Sequence, residues 1–176
     1  PTMTGAGRLA AAAARRIGAG IVTVAADPDV LFEYKVDSPG LLTAPFKNLK
    51  EFSSLLNARR ITSVLVGSGG GITSTTRDVV LGVAKSGKSL VIDADGLSVF
   101  AENPEQLFEV SSNAKTVLTP HEGEFSKLFD LKGSKFERAS NAAKMSNAVV
   151  VLKGADTVIS SPEGRSLINF NAPPSL

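Results

Sequence analysis

The chain has 176 residues, 43% of them hydrophobic, a formal net charge of +2 and no cysteine. That length supports one domain with a sizeable core, and the lack of cysteine excludes disulfides and thiolate metal sites and fits a reducing cytosol. No apolar run reaches the roughly 20 residues of a membrane span, and no basic block or aromatic–basic interleaving points to nucleic acid.

Gly5 to Ile17 reads as a helix that Gly18 and Gly20 close. Its face is mostly alanine, small enough for close approach to a sheet or a ligand. Arg15 and Arg16 interrupt the alanine run, which rules out a signal peptide there. Ile21–Ala25 is a strand of the buried kind. Residues 27–47 carry three prolines and read as turn-rich, while Phe46, Leu49, Phe52, Leu55 and Leu56 have helical spacing. Ser63–Val66 is a short strand ending in a glycine run, Gly67 to Gly71. A helix over Thr75–Lys85 leads to the strand Ser89–Ile92, which ends at Asp93 and Asp95. The helical region Leu97–Val110 is interrupted at Pro104. The strand Thr116–Thr119 meets Pro120 and His121, and a helix runs on through Phe129. Lys135–Asn147 is helical. Ala148–Leu152 is the most strand-like run, and it ends in Lys153 and Gly154. Thr157–Ser160 and Ser166–Asn169 form a hairpin around residues 162–165.

Short buried strands alternating with helices predict an α/β fold: a mainly parallel sheet with helices on both faces, closed by a C-terminal β-hairpin. Ligands of such sheets bind outside the carboxyl ends of the strands. Four strands end in a distinctive sequence, and all four ends are predicted to lie along one edge.

His121 is the only histidine. Thr119 suits the N-cap of the next helix, Pro120 its first position, and Glu122 the third position of a capping box. The free N–H groups of that turn attract anions, with His121 at the mouth. The plainer alternative is a capped turn with no ligand. The glycine run lets a backbone approach a phosphate or a sugar, or it is simply a flexible turn. It is neither a Walker A loop nor a dinucleotide fingerprint. Asp93 and Asp95 suit a water-bridged magnesium ion or the orientation of a polar group; a helix-capping role for one of them is the reading preferred here. Lys153 suits an anionic ligand as a point charge, or is solvated in a turn.

Taken in chain order, Gly5-Ala-Gly-Arg-Leu-Ala-Ala, Gly67-Ser-Gly-Gly-Gly71, Asp93-Ala-Asp-Gly96, Thr119-Pro-His-Glu-Gly-Glu124 and Val151-Leu-Lys-Gly-Ala-Asp-Thr-Val-Ile159 resemble the nucleotide-dependent NAD(P)H-hydrate dehydratases, a branch of the ribokinase-like fold. The likeness runs along nearly the whole chain. It implies a cytoplasmic, homo-oligomeric metabolite-repair lyase. Such an enzyme uses ADP or ATP to phosphorylate the hydroxyl of hydrated NADH or NADPH, and loss of phosphate restores the coenzyme. By position in the motifs, Ala6, Gly69 and His121 contact the hydrated dinucleotide, with His121 orienting it rather than acting as base. Lys153, Gly154, Ala155, Asp156 and Thr157 line the nucleotide site, and Mg2+ neutralises the phosphates.

Two departures stand out. Ser68 and Glu122 occupy positions where the family has proline, usually at the first and often at the second. The former is expected to loosen the glycine turn; the latter supplies the capping carboxylate. The family's general base is an aspartate in a Gly-x-Gly-Asp turn that lies beyond Leu176, so no catalytic residue is assigned in this chain. Residues 1–176 are read as one ribokinase-like domain, incomplete at both ends, and the resemblance leaves open a fused upstream epimerase domain. A small-molecule kinase of the same fold, for a sugar or a vitamin alcohol, is the alternative. A nucleotide-binding chain without catalysis is another.

Overall fold

Valine and isoleucine restrict χ1 and favour the pleated backbone, and the strands of this protein are built around them. The structure, a computed structural model, describes residues 3–36, 38–58 and 60–171; residues 172–176, beyond which the Gly-x-Gly-Asp turn was expected, lie outside these. β3 (Ser63–Val66), β4 (Ser89–Ile92), β5 (Thr116–Leu118), β6 (Val149–Leu152), β7 (Thr157–Ser160) and β8 (Ser166–Asn169) form a six-stranded sheet in that order. β3 to β6 are parallel, and β7 and β8 continue antiparallel. The predicted hairpin is β7–β8, and β6–β7 adds a second antiparallel pairing.

Sequential strand order has a geometric consequence. Right-handed crossovers running in one direction deposit their helices on one face. α4 (Ser74–Lys85) packs on β3 and β4, and α8 (Lys135–Ser146) on β6 and β7, with α6 (Pro104–Ser112) between them and α3 (Leu49–Ala58) beside α4. Burial follows the pleat. Leu90, Ile92, Leu118, Val150 and Leu152 are fully buried, whereas Val91, Val117, Val149 and Val151 on the opposite face are half-buried. α4, α6 and α8 pack side by side over this core. Phe100, Leu107 and Phe125 complete the core beneath them.

A smaller unit precedes the sheet. α1 (Thr4–Arg16), β1 (Thr23–Ala26), a 3-10 turn over Pro28–Val30, α2 (Leu31–Lys35) and β2 (Leu42–Pro45) surround Ala11, Tyr34 and Leu41. β1 and β2 pair in parallel. β1 is only half-buried, not buried as its composition suggested. The turn-rich reading of residues 27–47 misses α2 and β2. β2 ends at Pro45, which cannot donate to a ladder but is tolerated at a strand end. The helical region after Asp95 is two helices, α5 (Asp95–Ser98) and α6, because Asn103 caps a new start with Pro104 at its first position. Among the described residues, no helix is long and apolar enough to cross a membrane.

Candidate functional site

Asp93 follows β4 at the carboxyl edge of the sheet. Gly67 ends β3 with φ at +120°, and a Cβ there would overlap the backbone of Asp93 and Gly96. The two strand ends therefore meet backbone to backbone, which requires glycine. That approach places Ser68 Oγ 3.0 Å from Asp93 Oδ2, to which it donates. Thr119, at the end of β5, donates to Asp93 Oδ1 at 2.8 Å. Lys153, at the end of β6, donates to the same oxygen at 2.8 Å. One carboxylate thus ties four parallel strand ends together. Burial works to raise the Asp93 pKa, but the hydrogen bonds from Lys153, Thr119 and Ser68 and the lysine charge outweigh it and hold the carboxyl below its ordinary value.

This corrects the preferred reading of the two aspartates. The N-cap of α5 is Ala94, with φ at 48° and no side-chain cap. Asp95 Oδ2 accepts instead from Gly71 N at 2.8 Å, pinning the glycine run. Ser68, expected to loosen that turn, ties it to Asp93 through its hydroxyl.

The capping assignment before α7 (Glu122–Leu128) also changes. The N-cap is His121, not Thr119, and Glu124, not Glu122, closes the box. Thr119 and Pro120 stay with the strand end, where Lys153 N donates to Pro120 O at 2.9 Å and residues 121 and 153 form a parallel bridge. His121 Nδ1 accepts from Gly123 N at 3.0 Å and Glu124 N at 3.2 Å, and Glu124 Oε2 accepts from His121 N at 2.9 Å. An acceptor nitrogen carries a lone pair, so the ring proton sits on Nε2. The side chain is 59% exposed, and Nε2 faces the Glu124 carboxylate, 3.4 Å from Oε1. The turn's own amides at 123 and 124 are satisfied by the ring and are not free for an anion. Glu122 forms a two-bond pair with Arg138, at 2.7 and 3.0 Å.

Gly69, with φ at +76°, lies against the Met3 carbonyl, where a Cβ would collide. The glycine turn therefore abuts the start of α1, and the exposed Ala6 stands one helical turn along. Gly154, Ala155 and Asp156 are exposed after β6, and Thr157 opens β7. Lys135 Nζ donates to the Asp156 main-chain oxygen and to Asp156 Oδ1, the latter at 3.1 Å. Sequence reasoning missed Lys135 and Arg138, which lie on a helix far from any motif and whose type is common on any solvated helix face. It also missed the hydroxyls of Ser68 and Thr119 as partners of Asp93.

The donor set does not suit a resident magnesium ion. Asp93 is engaged by an ammonium, Asp95 by an amide and Glu124 by the His121 amide. Among the described residues, no group of three or more His, Asp or Glu is placed to hold a metal. A divalent cation would enter with the phosphates of a nucleotide, which it commonly accompanies.

A family model described as NAD(P)H-hydrate dehydratase matches residues 1–175. The bifunctional NAD(P)H-hydrate repair enzyme of Thermofilum pendens is 36% identical over 155 residues, covering 85% of this chain. The chain spans only 29% of that relative's length. The ADP/ATP-dependent NAD(P)H-hydrate dehydratase of Bacillus subtilis, co-crystallized with ATP and Mg2+, is similar in structure with a TM-score of 0.76 at 21% identity, over 97% of this chain and 62% of that one. A ribokinase-like superfamily protein of Enterococcus faecalis has a TM-score of 0.79 at 22% identity, over 98% and 60%. The fold is ribokinase-like. With the motifs gathered on one sheet edge and the family model matched along nearly the whole chain, this protein belongs to the NAD(P)H-hydrate dehydratase family.

Proposed function

We propose that this chain carries substrate-binding and nucleotide-binding parts of an ADP- or ATP-dependent dehydratase that repairs hydrated NADH or NADPH. The nucleotide phosphorylates the ring hydroxyl; elimination of phosphate, a carbon–oxygen lyase step, regenerates the coenzyme. Mg2+ comes as the counter-ion of the nucleotide. Ala6, Gly69 and His121 face the hydrated dinucleotide, and residues 153–157 face the nucleotide. His121 orients the dinucleotide, with Glu124 Oε1 3.4 Å behind its Nε2. No residue of this chain takes the role of base in this reading. It places the enzyme in the cytoplasm.

The observation that carries this reading is Lys153. Its ammonium has three N–H donors, one of which is spent on Asp93 at 2.8 Å. The side chain is still 41% exposed. Two donors remain for a phosphate, while Asp93 keeps the lysine in place before any nucleotide arrives. Charge-assisted contacts of this kind contribute about 1.5–3 kcal/mol.

Calorimetric titration of ADP with Mg2+, and of hydrated NADH, into the wild-type chain and Lys153→Ala tests the assignment. The variant should lose ADP affinity by that amount and hold hydrated NADH nearly as before. Equal losses for both ligands, or none for ADP, remove Lys153 from the nucleotide site.

A further inference from the structure

Lys135 stands outside every motif of the sequence, yet it is the side chain that shapes the turn after β6. It lies at the first position of α8 and is only 15% exposed, although it is a lysine at a helix start. Its ammonium donates both to the main-chain oxygen and to the carboxylate of Asp156. That hydrogen bond holds the Asp156 carboxyl below its ordinary pKa. Gly154 makes the arrangement possible, because a Cβ there would run into Lys135 Nζ. The glycine of the Lys-Gly-Ala-Asp stretch leaves the space in which the end of the Lys135 side chain sits. Inside the turn, the contact from Thr157 Oγ1 to Gly154 O is long, at 3.4 Å. The β6–β7 ladder closes the turn from both ends, and Lys135 adds the side-chain contact from outside it.

We infer that Lys135 is a positioning residue for nucleotide binding, holding Gly154 to Thr157 in the conformation that accepts the nucleotide without itself contacting it. The inference rests on the nucleotide reading of residues 153–157 given above. It adds the element that sets their geometry. With its main-chain oxygen and its carboxylate both paired to Lys135, Asp156 presents less negative charge to an arriving phosphate. Loss of Lys135 would release both oxygens toward it.

The test compares wild type with Lys135→Met, Lys135→Arg and Gly154→Ala. Methionine keeps most of the apolar stem and removes the donors; arginine keeps charge and donors; alanine at 154 displaces the ammonium from the other side. Amide hydrogen exchange is read along the chain, and ADP with Mg2+ and hydrated NADH are titrated separately. Lys135→Met is expected to speed exchange at residues 154–157 while leaving the amides of β6 and of residues 158–160 unchanged. Loss of a charged hydrogen-bond partner should lower ADP affinity on the order of tenfold. Hydrated NADH affinity stays within about twofold, a change worth only a few tenths of a kcal/mol. Gly154→Ala reproduces that pattern, and Lys135→Arg restores both the exchange and the ADP affinity. Unchanged exchange at 154–157 overturns the inference, as does unchanged ADP affinity in a wild-type chain that binds ADP. A uniform rise across β6, β7 and α8 with equal loss of both ligands also overturns it, because it reports a merely structural lysine. Failure of the wild-type chain to bind ADP at all is a different result: it removes the nucleotide reading itself, and the role of Lys135 with it.

Discussion

The two sheets differ in what surrounds them. β1 and β2 form an isolated pair over a core of Ala11, Tyr34 and Leu41, none of them below 6% exposure. β4, β5 and β6 are flanked on both sides and carry residues with no exposure at all, Leu90, Leu118 and Val150 among them. Strands of similar length and pairing thus sit in very different packing. Hydrophobic stabilisation scales with the apolar area removed from water, and local opening follows where little is removed. The polar site spans both: Asp93, after β4, binds three other strand ends of the large sheet, while the glycine turn touches the small unit at Met3.

Core truncations test this difference most strongly. Leu118→Ala should cost about 2–5 kcal/mol, the range for a fully buried leucine. Leu41→Ala, at 8% exposure beside a small cluster, should fall at or below the bottom of that range. Urea unfolding of both variants measures it, and equal losses would break the comparison.

The next effect is at Asp93. Asp93→Asn removes the charge that Lys153 and two hydroxyls engage, and should cost about 1–3 kcal/mol at neutral pH. The sign of its pH dependence follows from the lowered folded pKa. The contribution is complete above the unfolded Asp value of about 3.9 and is lost as pH falls through the lower folded value. The gap between wild type and variant should therefore be flat from neutrality to roughly pH 5 and close below pH 4. A gap that persists undiminished into acid would show that packing, not charge, is responsible.

Gly69→Ala probes the join between the two regions. A left-handed backbone costs a non-glycine residue roughly 1–2 kcal/mol, and here the added methyl also pushes on Met3. Faster amide exchange should appear in α1 and not in β4 to β6. Faster exchange in the large sheet as well would mean that the two regions open together.

The smallest effect expected is at His121. Losing the N-cap of α7 in His121→Ala should cost roughly 1 kcal/mol. His121→Ser restores a capping oxygen and should recover the melting temperature, but not the ring's Nε2–H. A binding role predicts weaker hydrated NADH affinity in both variants. Recovery of affinity by serine would reduce His121 to a helix cap.

The strands β3 and β4, the β7–β8 hairpin and the helices α4 and α8 were legible in the sequence to within a residue. Each combines a hydrophobic run or period with a local stop signal, and both act within a few residues. The alignment of four strand ends on one edge followed from parallel pairing, which short apolar runs separated by helices imply. The identity of the helix cap did not follow. Thr119 and His121 both satisfy local capping rules, and the choice fell to His121 because the main chain at Pro120 is held by Lys153 from β6. β2 was not legible either, since a strand ending in proline becomes a strand only when β1 supplies its ladder. The partners of Asp93 lie 25, 26 and 60 residues away, and Lys135 reaches Asp156 across 21. Residue types and local periods determine which elements form and in what order. Which polar groups meet depends on crossover handedness and strand register, and those are settled only when the chain closes on itself.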